Sequence, residues 1–304
     1  MNNDNTSSKK DNIPVILDAA PKGQSLWQQA VLRLIKNKAA MVSIVILLLL
    51  AAAALIAPHL RPFEIDEVFW DIDYPSAPSL SDGHWFGTDG NGRDLFVRTM
   101  FGIRISLLVG LCATLVSLII GVTYGAIAGY IGGRTDNLMM RVVDVLYAMP
   151  FMFFVILLMV FFGRNIFLMF AAIGAIEWLT MARIVRGQAM SLRHKEFVVA
   201  ANALGVSTGN IVKWHIVPNT LGTVIVYVTL TIPAVILTES FLSFLGLGVQ
   251  EPLTSLGVLI SEGAKQMETS PWMLIFPASI LAIILFCFNF VGDGLRDALD
   301  PKDR

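Results

Sequence analysis

Nearly uncharged apolar runs long enough to cross a bilayer recur along this chain. They cover Ala39–Ala57, Ile105–Tyr130, Val142–Phe162, Ile166–Val185, Asn219–Leu242 and Pro271–Val291. A helix needs about 20 predominantly apolar residues to cross a hydrocarbon core of about 30 Å, so the pattern predicts six membrane-spanning helices. The first follows a polar stretch and stops at Pro58. Its full spanning length separates it from the shorter apolar region of a signal peptide, and it reads as a retained helix. Glu177 interrupts the fourth run, at a cost of about 2.5–3.5 kcal/mol for an acid at mid-helix.

Charge decides whether that fourth run spans. With six spans and the N-terminus inside, only Arg61, Arg93, Arg98, Arg104, Arg164 and Lys265 of the 22 basic residues fall outside. Removing the fourth span would place the Arg183–Lys195 cluster outside, against the tendency of Lys and Arg to stay cytoplasmic. Six spans with both termini cytoplasmic is therefore the expected topology. It divides the chain into an N-terminal tail (1–38), a first helix (39–57), an external loop (58–104), a core (105–292) and a C-terminal tail (293–304). The external loop is acidic and irregular, with Glu64, Asp66, Glu67, Asp71 and Asp73, and a second external element covers Ser243–Ser270.

Composition agrees and excludes alternatives. Of 304 residues, 55% are hydrophobic and 15% charged, against about 25% charged in a soluble domain, and mean hydropathy is +0.69. The net charge of −1 provides no basic field for nucleic acid. Cys112 and Cys287 both lie in apolar runs and read as small buried hydrophobes, not as a disulfide or a zinc site. The histidines show no metal-ligand spacing, no nucleophile motif occurs, and the dipeptide Gly-Lys of a phosphate-binding loop is absent. An enzyme, a resident metal and a cofactor are not expected.

Three features carry what remains. Gly121, Gly125, Gly129 and Gly133 recur every fourth residue, a face on which another helix, of this chain or of a partner, can approach closely. The acids Glu177 and Glu239 lie at membrane depth, where a charge faces a cavity or a partner. Each either lines a path or is structural, Glu177 by pairing with Arg183 or Arg186 and Glu239 by capping the outer loop. The cytoplasmic segment 186–218 reads as two short helices. One, around "KEFVVAANAL", ends at Gly205; the other is capped by Ser207 or Thr208 and runs to Pro218. Ala200, Ala201 and Ala203 form a small exposed side suited to a groove on another protein.

The stretch Glu196 to Gly205, followed by His215-Ile-Val-Pro218-Asn219, resembles the EAA loop of ABC-importer membrane subunits. It matches at Ala200, Ala201, Gly205 and Pro218 and departs at Val199, His215 and Val217, where the pattern has Glu, Ile and Leu. Phe86-Gly-Thr-Asp89 through Gly92-Arg93-Asp94, Glu239 to Gly248, and Gly292 to Pro301 resemble the same peptide and nickel branch, closest to oligopeptide permease C-type subunits. The resemblance implies an all-α polytopic fold with a five-helix type I permease core and a peripheral first helix. It implies a bacterial inner-membrane location and a heterodimer with a homologous B-type subunit. Two ATP-binding subunits and a periplasmic or extracellular peptide-binding protein complete the implied assembly. Coupling to the ATPases would fall to Glu196, Ala200, Ala201, Gly205, His215 and Pro218. Asp89, Arg93 and Asp94 would either dock an outer partner or hold an internal salt bridge. A dipeptide or nickel importer is the alternative within the family. A self-sufficient secondary transporter, which would need charged relays in several spans, is the alternative outside it.

Overall fold

The computed structural model describes residues 26–70, 74–163 and 165–299. Residues 1–25, Asp71–Asp73, Arg164 and 300–304 lie outside it, and with them the expectations for most of the N-terminal tail and the end of the C-terminal one. Among the described residues the structure is helical, with one isolated bridge between Thr88 and Asp94 and no strand. Eleven helices follow in order: α1 (Leu26–Lys36), α2 (Lys38–Leu60), α3 (Leu95–Ile131), α4 (Gly133–Ala148), α5 (Phe151–Phe162), α6 (Ile166–Leu192), α7 (Glu196–Ala203), α8 (Thr208–Ile211), α9 (Val217–Phe244), α10 (Leu256–Lys265) and α11 (Trp272–Leu299). Five continuous helices are long and apolar enough to cross a membrane, the one containing α9 running from Thr208 to Phe244.

The expected third span differs. The run Val142–Phe162 is not one helix but the pair α4 and α5, bent by 81°. Proline explains the break. Pro150 has no N–H for the α4 ladder, and Met149 before it is extended at ψ 137, as a residue preceding proline prefers. The pair nevertheless carries the chain back along the bundle. Gly174 of α6 meets Ala113 and Val116 of α3, while Ala182 and Arg186 meet Gly125 farther along, so α3 and α6 run parallel. The intervening chain must therefore return from the end of α3 to the level of Ala113, about 27 Å at 1.5 Å per residue. An ion pair from Arg186 to Asp136 and another from Arg183 to Asp144 (2.8 Å) hold α4 beside α6 on that return.

The glycine stripe explains the most extensive helix contact. A Cβ at Gly121, Gly125 or Gly129 would collide with Met181, the Ala182 carbonyl or the Arg186 carbonyl. Their packing partner is α6 of the same chain. Gly133 does not belong to this seam: α3 ends at Ile131, and Gly132 and Gly133 turn the chain at φ +69 and +59.

The three largest apolar clusters among the described residues hold the bundle together. One joins α3, α5, α6 and α9 through Val109, Met159, Ile173 and Val235. Another packs Val198 and Ile216 against Val122 and Val185. The third holds α2 and α11 to α3 and α9 through Ala54, Ile103, Ile236 and Ile284. Gly294 of α11 lies against Leu34, Asn37 and Ala40, so the beginning and end of the described chain share one face of the bundle. Residues 74–94 and α10 lie at the opposite face, where Arg104 donates to the carbonyls of Ala54 (2.5 Å) and Leu55 (2.8 Å) near the end of α2.

Candidate functional site: the α7–α9 element and the Asp89 polar network

α7 starts at Glu196 and ends in a Schellman turn. Val206 N–H donates to the Ala201 carbonyl at 3.1 Å and Gly205 N–H to the Asn202 carbonyl at 3.0 Å. Gly205 supplies the left-handed residue at φ +79, a conformation other L-residues adopt only at a cost. α8 then passes through a π-helical turn, Val212–Ile216, directly into α9. The second short helix expected to stop at Pro218 is thus the first part of the long helix. Proline is accommodated because the wide turn sends Val217 N–H back to the Val212 carbonyl, just before the residue that has no N–H to give.

Val198, Ala201, Ile211, Val212 and Ile216 are buried and tie this element to α3 and α6. Ala201, expected on the exposed side, instead faces the core at 7% exposure. Glu196, Ala200, Ala203, Gly205 and Pro218 are exposed, and His215 is half-buried 6.3 Å from the Phe197 ring. The outward surface is not merely small. Leu204 is 84% exposed, Trp214 64% and Val199 56%, with Phe197 also exposed. Large apolar side chains exposed on an otherwise polar element are the kind of surface that partner proteins cover. Sequence reading missed Leu204 and Trp214; the clue was a large apolar residue on either side of the Gly205 turn, within a segment too polar to span.

On the other face, Asp94 caps α3 by accepting from Val97 N–H at 2.8 Å, and its second oxygen meets His84 Nδ1 at 2.8 Å. His84 is packed against Phe63 and Phe69. Asp89 accepts from the backbone of Asn91 and Arg93, from Arg93 Nε at 2.8 Å, and from Arg98. Arg93 also reaches Glu251 at 2.8 Å and Arg98 reaches Glu262 at 3.5 Å, linking the loop to the 245–255 turn and to α10. Burial works against the Arg93 cation, but Asp89 and Glu251 outweigh it and hold its pKa above the usual guanidinium value. Burial also pushes the Glu262 carboxyl up, despite the opposing pull of Arg98. Asp89, Arg93 and Asp94 are all buried, and their side chains are taken up by this internal network.

Glu239 and Glu177 part company. Glu239 is fully buried, and one carboxylate oxygen accepts from Ser243 at 2.7 Å and from Ser255 at 2.6 Å. Ser255 is also the N-cap of α10, so Glu239 anchors the start of that helix. Replacing it with Ala leaves two buried hydroxyls without their acceptor, and we expect a loss of about 1–3 kcal/mol. Glu239→Gln preserves an acceptor oxygen and most of that stability; thermal unfolding of both variants in detergent distinguishes them. Glu177 is half-buried at the middle of α6. Arg183 and Arg186, the bases expected to pair with it, are engaged elsewhere, Arg183 with Asp144 and Arg186 with Asp136.

Comparison with known proteins bears on most of the chain. Residues 121–304 match the family model "Binding-protein-dependent transport system inner membrane component", and residues 25–78 match "N-terminal TM domain of oligopeptide transport permease C". The chain is similar to the oligopeptide transport system permease protein OppC of Haemophilus influenzae, 58% identical over 93% of this chain and 91% of that one. It is 47% identical to OppC of Bacillus subtilis over 93% and 92% of the two chains. It is also 47% identical to the dipeptide transport system permease protein DppC of that organism over 92% and 87%.

Proposed function

The chain belongs to the family of binding-protein-dependent transport system inner membrane components, and from that premise we propose that it forms half of a peptide path opened and closed by ATP-driven partners. It is a multi-pass permease subunit of an ABC transporter of the oligopeptide branch. The other half of the path is a homologous B-type subunit. Two ATP-binding subunits lie on the cytoplasmic side and a peptide-binding protein delivers cargo from outside.

The single observation that supports coupling is the continuity of α8 with α9. A docking element joined to a span without a break moves that span whenever it is itself moved, whereas a flexible joint would absorb the displacement. The α7–α8 surface would meet an ATPase subunit through Leu204, Trp214 and Val199, with Glu196, Ala200, Gly205, His215 and Pro218 around them. The cytoplasmic placement of this face rests on the basic excess, and both described chain ends lie on the same side. Glu177 is the acid we assign to the path, half-buried at mid-helix without an ion pair among the described residues. It would meet the ammonium of a passing peptide.

The test is uptake of a labelled pentapeptide into proteoliposomes holding the complete assembly. Uptake should require ATP and the binding protein and should persist when the proton gradient is collapsed. Uptake driven by the gradient without ATP would overturn the assignment in favour of a secondary transporter. A dipeptide cargo is the second reading, favoured by the equal identity to the two Bacillus subtilis permeases; labelled dipeptide outcompeting pentapeptide would select it.

A further inference from the structure

Between α2 and α11 the bundle surface carries a groove of about 550 Å³ that belongs neither to the α7–α9 element nor to the Asp89 network. Its walls are Val42 and Ile46 of α2 and Ile283, Phe286 and Phe290 of α11, and Lys38 stands at one end. The size falls within the range of small-molecule sites. From Lys38 to Ile46 it extends about 12 Å along α2, less than half the thickness of a hydrocarbon core. A spanning helix of another protein would need a face continuing through the bilayer; one acyl chain would not.

The level of Lys38 in the membrane follows from α1. Leu34 of that helix rests near Gly294, and Ala30 is buried. Val31, Leu32 and Ile35 are exposed apolar residues, and Lys36 is exposed beside them. A helix with exposed apolar residues and basic ones at its end lies in the interface between headgroups and acyl chains. Lys38, two residues beyond α1, therefore sits where headgroup phosphates are, while the apolar walls below it sit where the chains are. A basic side chain at the headgroup end of a groove between helices is the arrangement that selects an anionic lipid.

We propose that this groove is a binding site for an anionic phospholipid, with one acyl chain between α2 and α11 and the phosphate at Lys38. Such a lipid would seal the peripheral first helix to the core without a protein contact at that position. The proposal does not depend on the peptide-transport reading, because it concerns a face away from the proposed path and coupling surface.

Native mass spectrometry of the full chain, in the complex in which it is purified, tests it. Dioleoylphosphatidylglycerol and dioleoylphosphatidylcholine are titrated in turn against the wild type, Lys38→Glu and Lys36→Glu. We expect the wild type to retain phosphatidylglycerol at least about fivefold better than phosphatidylcholine, the preference one basic residue near the surface supports. Lys38→Glu should lose that preference and Lys36→Glu should keep most of it. Equal retention of the two lipids by the wild type, or an undiminished preference in Lys38→Glu, would overturn the proposal. Should Lys38→Glu fail to assemble, Val42→Cys labelled with a photoactivatable group decides. Crosslinking to phosphatidylglycerol in mixed-lipid nanodiscs supports the site, and crosslinking to a protein chain or equally to both lipids overturns it.

Discussion

Gly205→Glu should reduce peptide uptake more than tenfold while the complex still assembles in the membrane. Position 205 has φ +79, and a Cβ built there meets no atom of this chain within 4 Å. The substitution therefore brings backbone strain of about 1–2 kcal/mol but no collision inside the subunit. Whatever else it does must happen outside the chain, where the new carboxylate would project beside Leu204 into the proposed ATPase contact. Gly205→Ala separates the two effects: it adds the strain with neither charge nor reach and should retain most of the uptake. Measuring ATP hydrolysis alongside uptake completes the test, since a broken coupling contact leaves hydrolysis running without transport. Normal, fully coupled uptake in Gly205→Glu would remove the coupling role of this turn.

Asp89→Ala is expected to have the largest effect on stability. Asp89 is 1% exposed and Arg98 likewise, with Arg93 at 6%. One carboxylate thus holds two buried guanidinium groups and two backbone N–H groups. Its removal leaves Arg98 with only the more distant Glu262 and Arg93 with only the exposed Glu251. Breaking a buried ion pair from one side costs about 3–5 kcal/mol, because the remaining charge stays desolvated. The loss should appear as a lower unfolding temperature in detergent and as less protein reaching the membrane. Glu251→Gln, which removes a solvent-exposed partner, should change either readout little. If Asp89→Ala unfolds like the wild type, the network does not order this face.

The helices long enough to span a bilayer were legible because spanning length is a local and compositional signal. The third apolar run was located but not its bend, although Pro150 stood in plain view. Proline in a membrane helix is compatible with a straight span, as Pro233 within α9 and Pro277 within α11 illustrate. What Pro150 does depends on the neighbours that receive the two halves. The glycine seam was legible as a close-packing face, but its partner was not. Contact between Gly125 and Ala182 joins residues far apart in the chain, and nothing in either segment names the other. The α7–α9 element was legible through Gly205 and Pro218. Its fusion into one helix was hidden because the π turn is set by backbone hydrogen bonds at Val212–Ile216, without a distinctive residue type. Glu239 shows the same limit: its two serine partners came from its own helix and from a turn whose position only the fold determines.

The self-contained Asp89 network has a consequence for how the rest of that face behaves at a distance. Asp89 pairs with Arg93 and Arg98, and Asp94 with His84 and the start of α3, all within a few ångströms, so these buried charges contribute little to the field in solvent. Glu64, Asp66, Glu67, Asp82, Glu251 and Glu268 remain exposed, while Lys265 is the exposed lysine on the same side. The far field is therefore negative even though the loop is rich in arginine. A protein arriving there with a basic surface would be steered by it. That attraction weakens as the Debye length shrinks from about 10 Å at 0.1 M salt to about 3 Å at 1 M, so ionic strength would change how often a partner arrives and leave the buried pairs beneath largely intact.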